Sequence, residues 1–180
     1  MNAIIFDLET TGLLKPQVTA IEEQPHIIEI GAIFIQDGDV RGELSQLINP
    51  KIPIPEIITK ITGITGDDLT GMPTFNEYLP QLEDFFYDVN MLIAHNAPFD
   101  IGVLKVELER SGVLETFPIP PIIIDTIQEY KEPYAKFPKM TELYKKFLGK
   151  DLKQSHRALD DCHALLEILA SQEFFNIGEK

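Results

Sequence analysis

Two acids near the N-terminus, Asp7 and Glu9, stand one residue apart in the run Phe6–Asp7–Leu8–Glu9–Thr10–Thr11–Gly12. On a strand, side chains alternate faces, so the two carboxylates point one way while Phe6 and Leu8 point the other. At the end of a buried apolar strand they repel each other. Without a cation, one of them must hold a proton or face water. A divalent metal is the economical explanation, although a solvent-facing strand end with two idle acids fits this motif taken alone.

Two further motifs carry acids. In Leu92–Ile93–Ala94–His95–Asn96–Ala97–Pro98–Phe99–Asp100, the last residue falls in the first turn after Pro98. The helix N-terminus favours a carboxylate there, which would suffice for a lone aspartate. The third is His156–Arg157–Ala158–Leu159–Asp160–Asp161. Five residues of helix turn His156 and Asp161 about 140° apart, so they cannot share a helix face. His156 is therefore expected in the preceding loop, folding over the site. Asp160 and Asp161 cannot both point inward, and Asp160 is read as a surface acid.

Phosphodiester hydrolysis asks for such a set. It needs an activated water and relief of charge on the phosphorus oxygens and the leaving oxyanion, which two cations roughly 3.5–4 Å apart supply. Magnesium and manganese prefer oxygen ligands from several elements. Histidine can take a proton from the attacking water near neutral pH. A zinc site built on His156, Cys162 and His163 lacks the spacing of a closed tetrahedral centre. His163 reads as a plain helix residue and His26, after Pro25, as a surface one.

The three motifs resemble those of the DEDDh exonuclease family, which includes the proofreading epsilon subunit of bacterial DNA polymerase III. Asp-x-Glu-Thr-Thr-Gly, Ala-His-Asn-Ala-x-Phe-Asp and His-x-Ala-x-x-Asp occur in family order between Asp7 and Asp161. The resemblance implies a ribonuclease H-like fold, with Asp7, Glu9, Asp100 and Asp161 as ligands of two Mg²⁺ or Mn²⁺ ions and His156 as general base. It also implies substrate contacts from the Thr10 backbone, Asn96 and Phe99. His95 is assigned to orienting a ligand from behind the site, and Asp125, in Asp125–Thr126, to structural support. Where the epsilon subunit has His-Gly-Ile this chain reads Thr62–Gly63–Ile64. Thr62 is counted as the substrate-binding candidate of that loop, with the contact of the family histidine either lost or replaced.

The elements that must position these residues can be read along the chain. Asn2–Leu8 is a buried strand, Ile27–Gln36 a second, and Asp37–Gly38–Asp39 a hairpin turn returning along Val40–Ile48. A short helix is expected near Glu56–Ile61 and a loop over Thr62–Asp68. Thr74 and Glu77 form a capping box opening a helix to about Tyr87. Met91–Ala94 is a short strand, and Pro98 starts a helix running toward Arg110 and stopping at Gly112. Ile122–Ile124 is the last strand. Helices follow over Met140–Leu148 and from near Ser155 to Ser171, the latter with Leu159, Cys162, Leu165, Leu166 and Leu169 on one face. The expected architecture is α/β: a mixed sheet of about five strands, the first three antiparallel, flanked by helices.

A chain of 180 residues suits one domain with a sizeable core, here a single exonuclease domain with Gln172–Lys180 as a short tail. One cysteine allows no disulfide framework, and Asp7 arrives too early for a signal peptide. No apolar run approaches the roughly 20 residues of a membrane span; even Ile27–Ile35 is broken by Glu29. A soluble, cytoplasmic protein without membrane contact is expected.

The net charge of −14 is unusual for an enzyme of nucleic acids, which tend to carry a basic footprint. Between Lys131 and Arg157, however, eight basic residues meet three acidic ones, a net +5 that leaves −19 on the rest. Lys145, Lys146 and Lys150 within it could form a short phosphate track, or merely a solvated helix face. An acidic remainder repels a long phosphate backbone, so the footprint should be short. That points to a DNA polymerase or replication partner for processivity, or to action on short ends. Single-stranded DNA 3′ ends are the expected substrate, giving nucleoside monophosphates in proofreading or repair. An RNA-trimming enzyme of the same family is the alternative, and a non-catalytic nucleic-acid-binding subunit the second. A phosphatase using an aspartyl nucleophile lacks an accompanying lysine motif.

Overall fold

The computed structural model describes residues 1–16, 19–131 and 137–176. Glu132 and Lys136 of the cationic window, and 177–180 of the tail, lie outside them. In chain order the elements are β1 (Asn2–Thr10), β2 (Ile27–Gln36), β3 (Asp39–Leu47), α1 (Glu56–Thr62), α2 (Gly66–Leu69) and α3 (Phe75–Phe86). Then come β4 (Met91–Ala94), α4 (Ala97–Arg110), β5 (Ile122–Asp125), α5 (Thr126–Glu129), α6 (Met140–Leu148) and α7 (Ala158–Ser171).

The sheet order is β3-β2-β1-β4-β5. β1, β2 and β3 pair antiparallel, and β1–β4 and β4–β5 pair parallel. The first three strands can follow one another antiparallel because tight connections suffice. Asp37 (φ 53°) and Gly38 (φ 89°) make the β2–β3 turn, both at the positive φ that matches strand twist. The later strands need crossovers, which α3, α4 and the intervening chain supply.

β1 lies at the sheet's centre and is apolar on both faces, as a strand covered on both sides must be. Ile4, Phe6 and Leu8 face a core shared with Phe86, Ile101 and Leu104. Phe6 meets Phe86 edge-on at 5.5 Å between ring centres. Ala3 and Ile5 face the other core, with Leu143, Cys162, Leu165 and Ile168 from α6 and α7. Asp7 and Glu9 continue this second face, so α7 is the helix that comes down over them.

Besides shifts of one or two residues at strand ends and the short additional helix α5, two regions differ from expectation. The segment 62–68 is not a plain loop, because Thr65 and Asp68 form a reciprocal capping box that starts α2. The last helix begins at Ala158 rather than near Ser155: His156 has φ 52° and Arg157 is extended, so neither continues a helix backward.

Candidate active site

β1, β4 and β5 run parallel, with Ile5 beside Ile93 and Ala94 beside Asp125. The carboxyl ends of β4 and β5 therefore come level with the Phe6–Asp7 stretch of β1, which continues to Thr10. Carboxyl ends of strands are where ligands bind in open α/β sheets. The β1–β2 register slips between Glu9 and Thr10, which pair with Glu29 and Ile27. A bulge of this kind twists the strand end locally.

Four carboxylates and a histidine meet there. Ligand atoms of Glu9, His156 and Asp161 all lie within 4.8 Å of one another. Asp100, 3% exposed, reaches from the first turn of α4 to β1 and accepts the Leu8 amide at 3.1 Å. Burial pushes the Asp7 carboxyl well above its ordinary value, and the charges of Asp100, Asp161, Glu9 and Glu29 add to the shift. Burial, then Asp161, Glu29 and Asp100, push Glu9 up to about 8. Asp100 and Asp161 are raised too, chiefly by burial. Crowded and buried, these acids all bind a proton more tightly than free carboxyls do, and a cation among them would relieve that repulsion. Asp7, Glu9, Asp100 and Asp161 are the groups that could hold one. His156 sits one residue before the α7 cap with its ring beside Glu9 and Asp161, as a loop residue folded over the site. Asp160 is turned away, exposed and bonded by Ser155 Oγ at 2.8 Å.

The supporting residues behave differently from one another. Asp125 Oδ1 accepts three amides, from Asn96 (3.0 Å), Ala97 (3.3 Å) and Ile127 (3.2 Å). It thereby caps both α4 and α5 and holds the turn on which Asn96, at φ 76°, stands exposed. Phe99 is half-buried against the α3–α4 core. Thr10 is buried, and its hydroxyl donates to Gly12 O at 2.7 Å, which ties the side chain into the turn after β1. His95 Nδ1 lies 3.0 Å from Thr126 Oγ1. Burial holds its pKa below the ordinary value. The Pro138 backbone hydrogen-bonds the same ring, so His95 is held by this threonine and the chain before α6.

Two expectations are corrected and a third is narrowed. Thr62 is not presented to a substrate: it is 4% exposed, and its hydroxyl donates to Ile58 O (3.0 Å) and accepts the Ile64 amide (3.1 Å). It closes the end of α1 instead. His26 is not a free surface residue. The Thr11 and His26 backbones tie the loop after β1 to the start of β2, which brings the ring to Glu107 Oε1 at 3.0 Å and Arg110 Nη1 at 3.2 Å. The cationic window is not an open track throughout. Arg157 is paired to buried Glu29, and Lys145 Nζ lies 2.8 Å from Asp151 Oδ1. Lys146 stands 5.0 Å over the Phe147 ring, and Lys150 is exposed.

The Glu29–Arg157 pair beside the site was missed in the sequence. The available signal was an acid inside an isoleucine-rich buried strand, which has no reason to be there unless something pairs with it.

Comparison with known proteins agrees with this geometry. The family model RNase_T, described as an exonuclease, matches residues 4–169. The PolC-type DNA polymerase III of Clostridium perfringens is 37% identical over 167 residues, covering 92% of this chain but 11% of that polymerase. This chain thus spans about a tenth of the PolC-type relatives it matches. Among solved structures, the nuclease domain of 3′hExo, a DEDDh family member bound to rAMP, superposes with a TM-score of 0.74 at 20% identity, covering 98% of this chain and 92% of that one. Exonuclease X in complex with 5′ overhanging duplex DNA gives a TM-score of 0.65 at 24% identity, with 99% and 94% covered. Both share the five-stranded mixed sheet with flanking helices, the ribonuclease H-like fold.

Proposed function

This chain belongs to the exonuclease family, in its DEDDh 3′→5′ branch, and from that premise we propose that it hydrolyses single-stranded DNA from the 3′ end to nucleoside monophosphates. The observation that carries the reading is the convergence of Glu9, His156 and Asp161, from β1, the pre-helix loop and α7, upon one point beside Asp7 and Asp100. No single element could assemble it.

The donor set fits hard divalent cations. Four carboxylates with raised proton affinity, from three elements, suit Mg²⁺ or Mn²⁺ far better than a soft metal. Asp7, Glu9, Asp100 and Asp161 would hold two such ions, which when bound neutralise the acids and draw charge from the phosphate oxygens. The chain's own residues do the rest. His156 accepts the proton of the attacking water through a ring nitrogen. The Thr10 backbone, exposed Asn96 and Phe99 hold the terminal nucleotides, and Asp125 and the Thr126-bonded His95 keep that turn in place.

DNA is preferred because the curated relative at 37% identity is a DNA polymerase III. The fold itself serves either sugar, since one structural neighbour is bound to rAMP and another to duplex DNA. RNA trimming is therefore the second reading. A polymerase partner would supply the processivity that an acidic surface cannot, and the bacterial DNA-processing relative supports a cytoplasmic location. Among the described residues no helix is long and apolar enough to cross a membrane. Residues 1–180 are proposed to act as one exonuclease domain.

Matched labelled DNA and RNA oligonucleotides, with Mn²⁺ and with EDTA, test the reading. Metal-dependent 3′→5′ shortening with DNA the faster substrate is expected, and Asp7→Ala should abolish it. Faster RNA trimming would replace the DNA assignment with the second reading. Binding without metal-stimulated hydrolysis would leave a non-catalytic subunit.

A further inference from the structure

Glu29 sits on β2 at 1% exposure, directly opposite Glu9 in the β1–β2 register. Like charges facing each other across a strand pair repel, and the Glu29 charge contributes to the high proton affinity of Glu9. A buried acid in that place needs strong compensation, and it has it. Its Oε1 accepts Arg157 Nη2 at 2.6 Å and Nε at 3.1 Å. Its Oε2 accepts Nε at 3.0 Å and the Ala158 amide at 3.0 Å.

The Ala158 contact explains how α7 starts. Arg157 occupies the N-cap position and makes no side-chain cap hydrogen bond. The cap comes instead from the neighbouring strand, as a carboxylate on the positive end of the helix dipole. Two residues along the same face of β2, Gly31 lets the helix backbone approach. A Cβ there would lie 2.3 Å from Ala158 C and 2.4 Å from Leu159 N. The first turn of α7 is therefore held against β2 at two points.

Both remaining members of the site hang from that turn. The Asp161 amide donates to Arg157 O at 3.0 Å, and His156 directly precedes Arg157 in the chain. We propose that Glu29, Arg157 and Gly31 are positioning residues that set Asp161 and His156 against Asp7 and Glu9. Arg157, although part of the cationic window, serves this clamp rather than the substrate backbone. The inference rests on the reading of Asp7, Glu9, Asp161 and His156 as the hydrolytic site.

The test compares Glu29→Gln, Arg157→Gln, Arg157→Lys and the Glu29→Gln/Arg157→Gln double variant with the wild-type chain. It reads kcat and KM on a short labelled oligonucleotide, and Mn²⁺ binding by calorimetry without substrate. Glu29→Gln should lower kcat and weaken Mn²⁺ binding by about 10–100-fold each, the range seen when a group that orients metal ligands from outside their shell is lost. KM should stay within about threefold, because the ground-state grip on the oligonucleotide is untouched. Arg157→Lys, which keeps the charge but not the fork of donors, should fall between wild type and Arg157→Gln. The double variant should be less impaired than Arg157→Gln, since that single change leaves Glu29 charged and alone opposite Glu9.

A folded Glu29→Gln protein with wild-type kcat and Mn²⁺ affinity would overturn the clamp. So would losses confined to KM, which for Arg157, 44% exposed on its side chain, would mean a phosphate contact. If Glu29→Gln does not fold, wild-type kcat in both Arg157→Lys and the double variant overturns the proposal equally. A wild-type chain without hydrolysis refutes the function reading instead, and the calorimetric Mn²⁺ affinities still decide the clamp.

Discussion

Stability without metal should fall as the solution is made more alkaline, the reverse of the usual behaviour of paired carboxylates. Glu9 is pushed from 4.5 to about 8, first by burial and then by the Asp161, Glu29 and Asp100 charges. A carboxyl raised in the folded state contributes its stability in full below its ordinary value and loses it as pH rises through the folded one. For Glu9 the window runs from pH 4.5 to about 8. At about 1.4 kcal/mol per tenfold in proton affinity, the ceiling for this one group is about 5 kcal/mol. Asp7, Asp100 and Asp161 shift in the same direction. Total stabilities are only about 5–15 kcal/mol, so the effect should dominate. A chain of this size loses about 2–4 °C of Tm per kcal/mol, which makes the fall up to about 10–20 °C.

Cations reverse the trend. They bind the deprotonated acids, and at a hundred times Kd a bound ion adds about 2.7 kcal/mol. Calorimetric Tm measured from pH 5 to 8.5 at constant ionic strength, in EDTA and in Mn²⁺, reads both effects. The expected curves diverge with rising pH, EDTA downward. A flat or rising EDTA curve, or an Mn²⁺ increment that does not grow with pH, would refute the crowded-carboxylate account.

Other perturbations follow from the contacts. Gly31→Ala forces a methyl into the α7 backbone; it should destabilise by about 1–3 kcal/mol in denaturant melts and reduce kcat as the helix is pushed off the sheet. Asp125→Ala strips the acceptor from three amides and should lower stability by about 1–3 kcal/mol, with KM rising as the Asn96 turn loosens. Replacing Lys145, Lys146 and Lys150 together by Ala should weaken DNA binding and flatten its dependence on salt, read by fluorescence anisotropy over a salt series. Unchanged binding would remove these lysines from the substrate path.

Much of this was legible from residue types and spacing. Alternation put Asp7 and Glu9 on one face and Phe6 and Leu8 on the other, and the Thr74–Glu77 box and Pro98 marked where α3 and α4 begin. Those signals are local: each depends on a period of two or on a few neighbouring residues. His156 in the loop before α7 followed from helix geometry once it and Asp161 were taken to face one site, although the start of the helix was placed too early. The carboxylate motifs were visible because their chemistry is unusual in an apolar setting.

Tertiary structure decided what depends on pairing across the chain. Glu29 and Arg157 are 128 residues apart, and nothing in either segment names the other. The same Arg157 counted as part of a cationic window until its partner was seen. Thr62 looked available because its loop was known and its hydroxyl bonds were not, and His26 looked exposed because Glu107 and Arg110 belong to a distant helix. Periodicity tells which face of an element is buried. Which polar groups then meet beneath it is set by how strands register and helices dock, and only the folded chain contains that information.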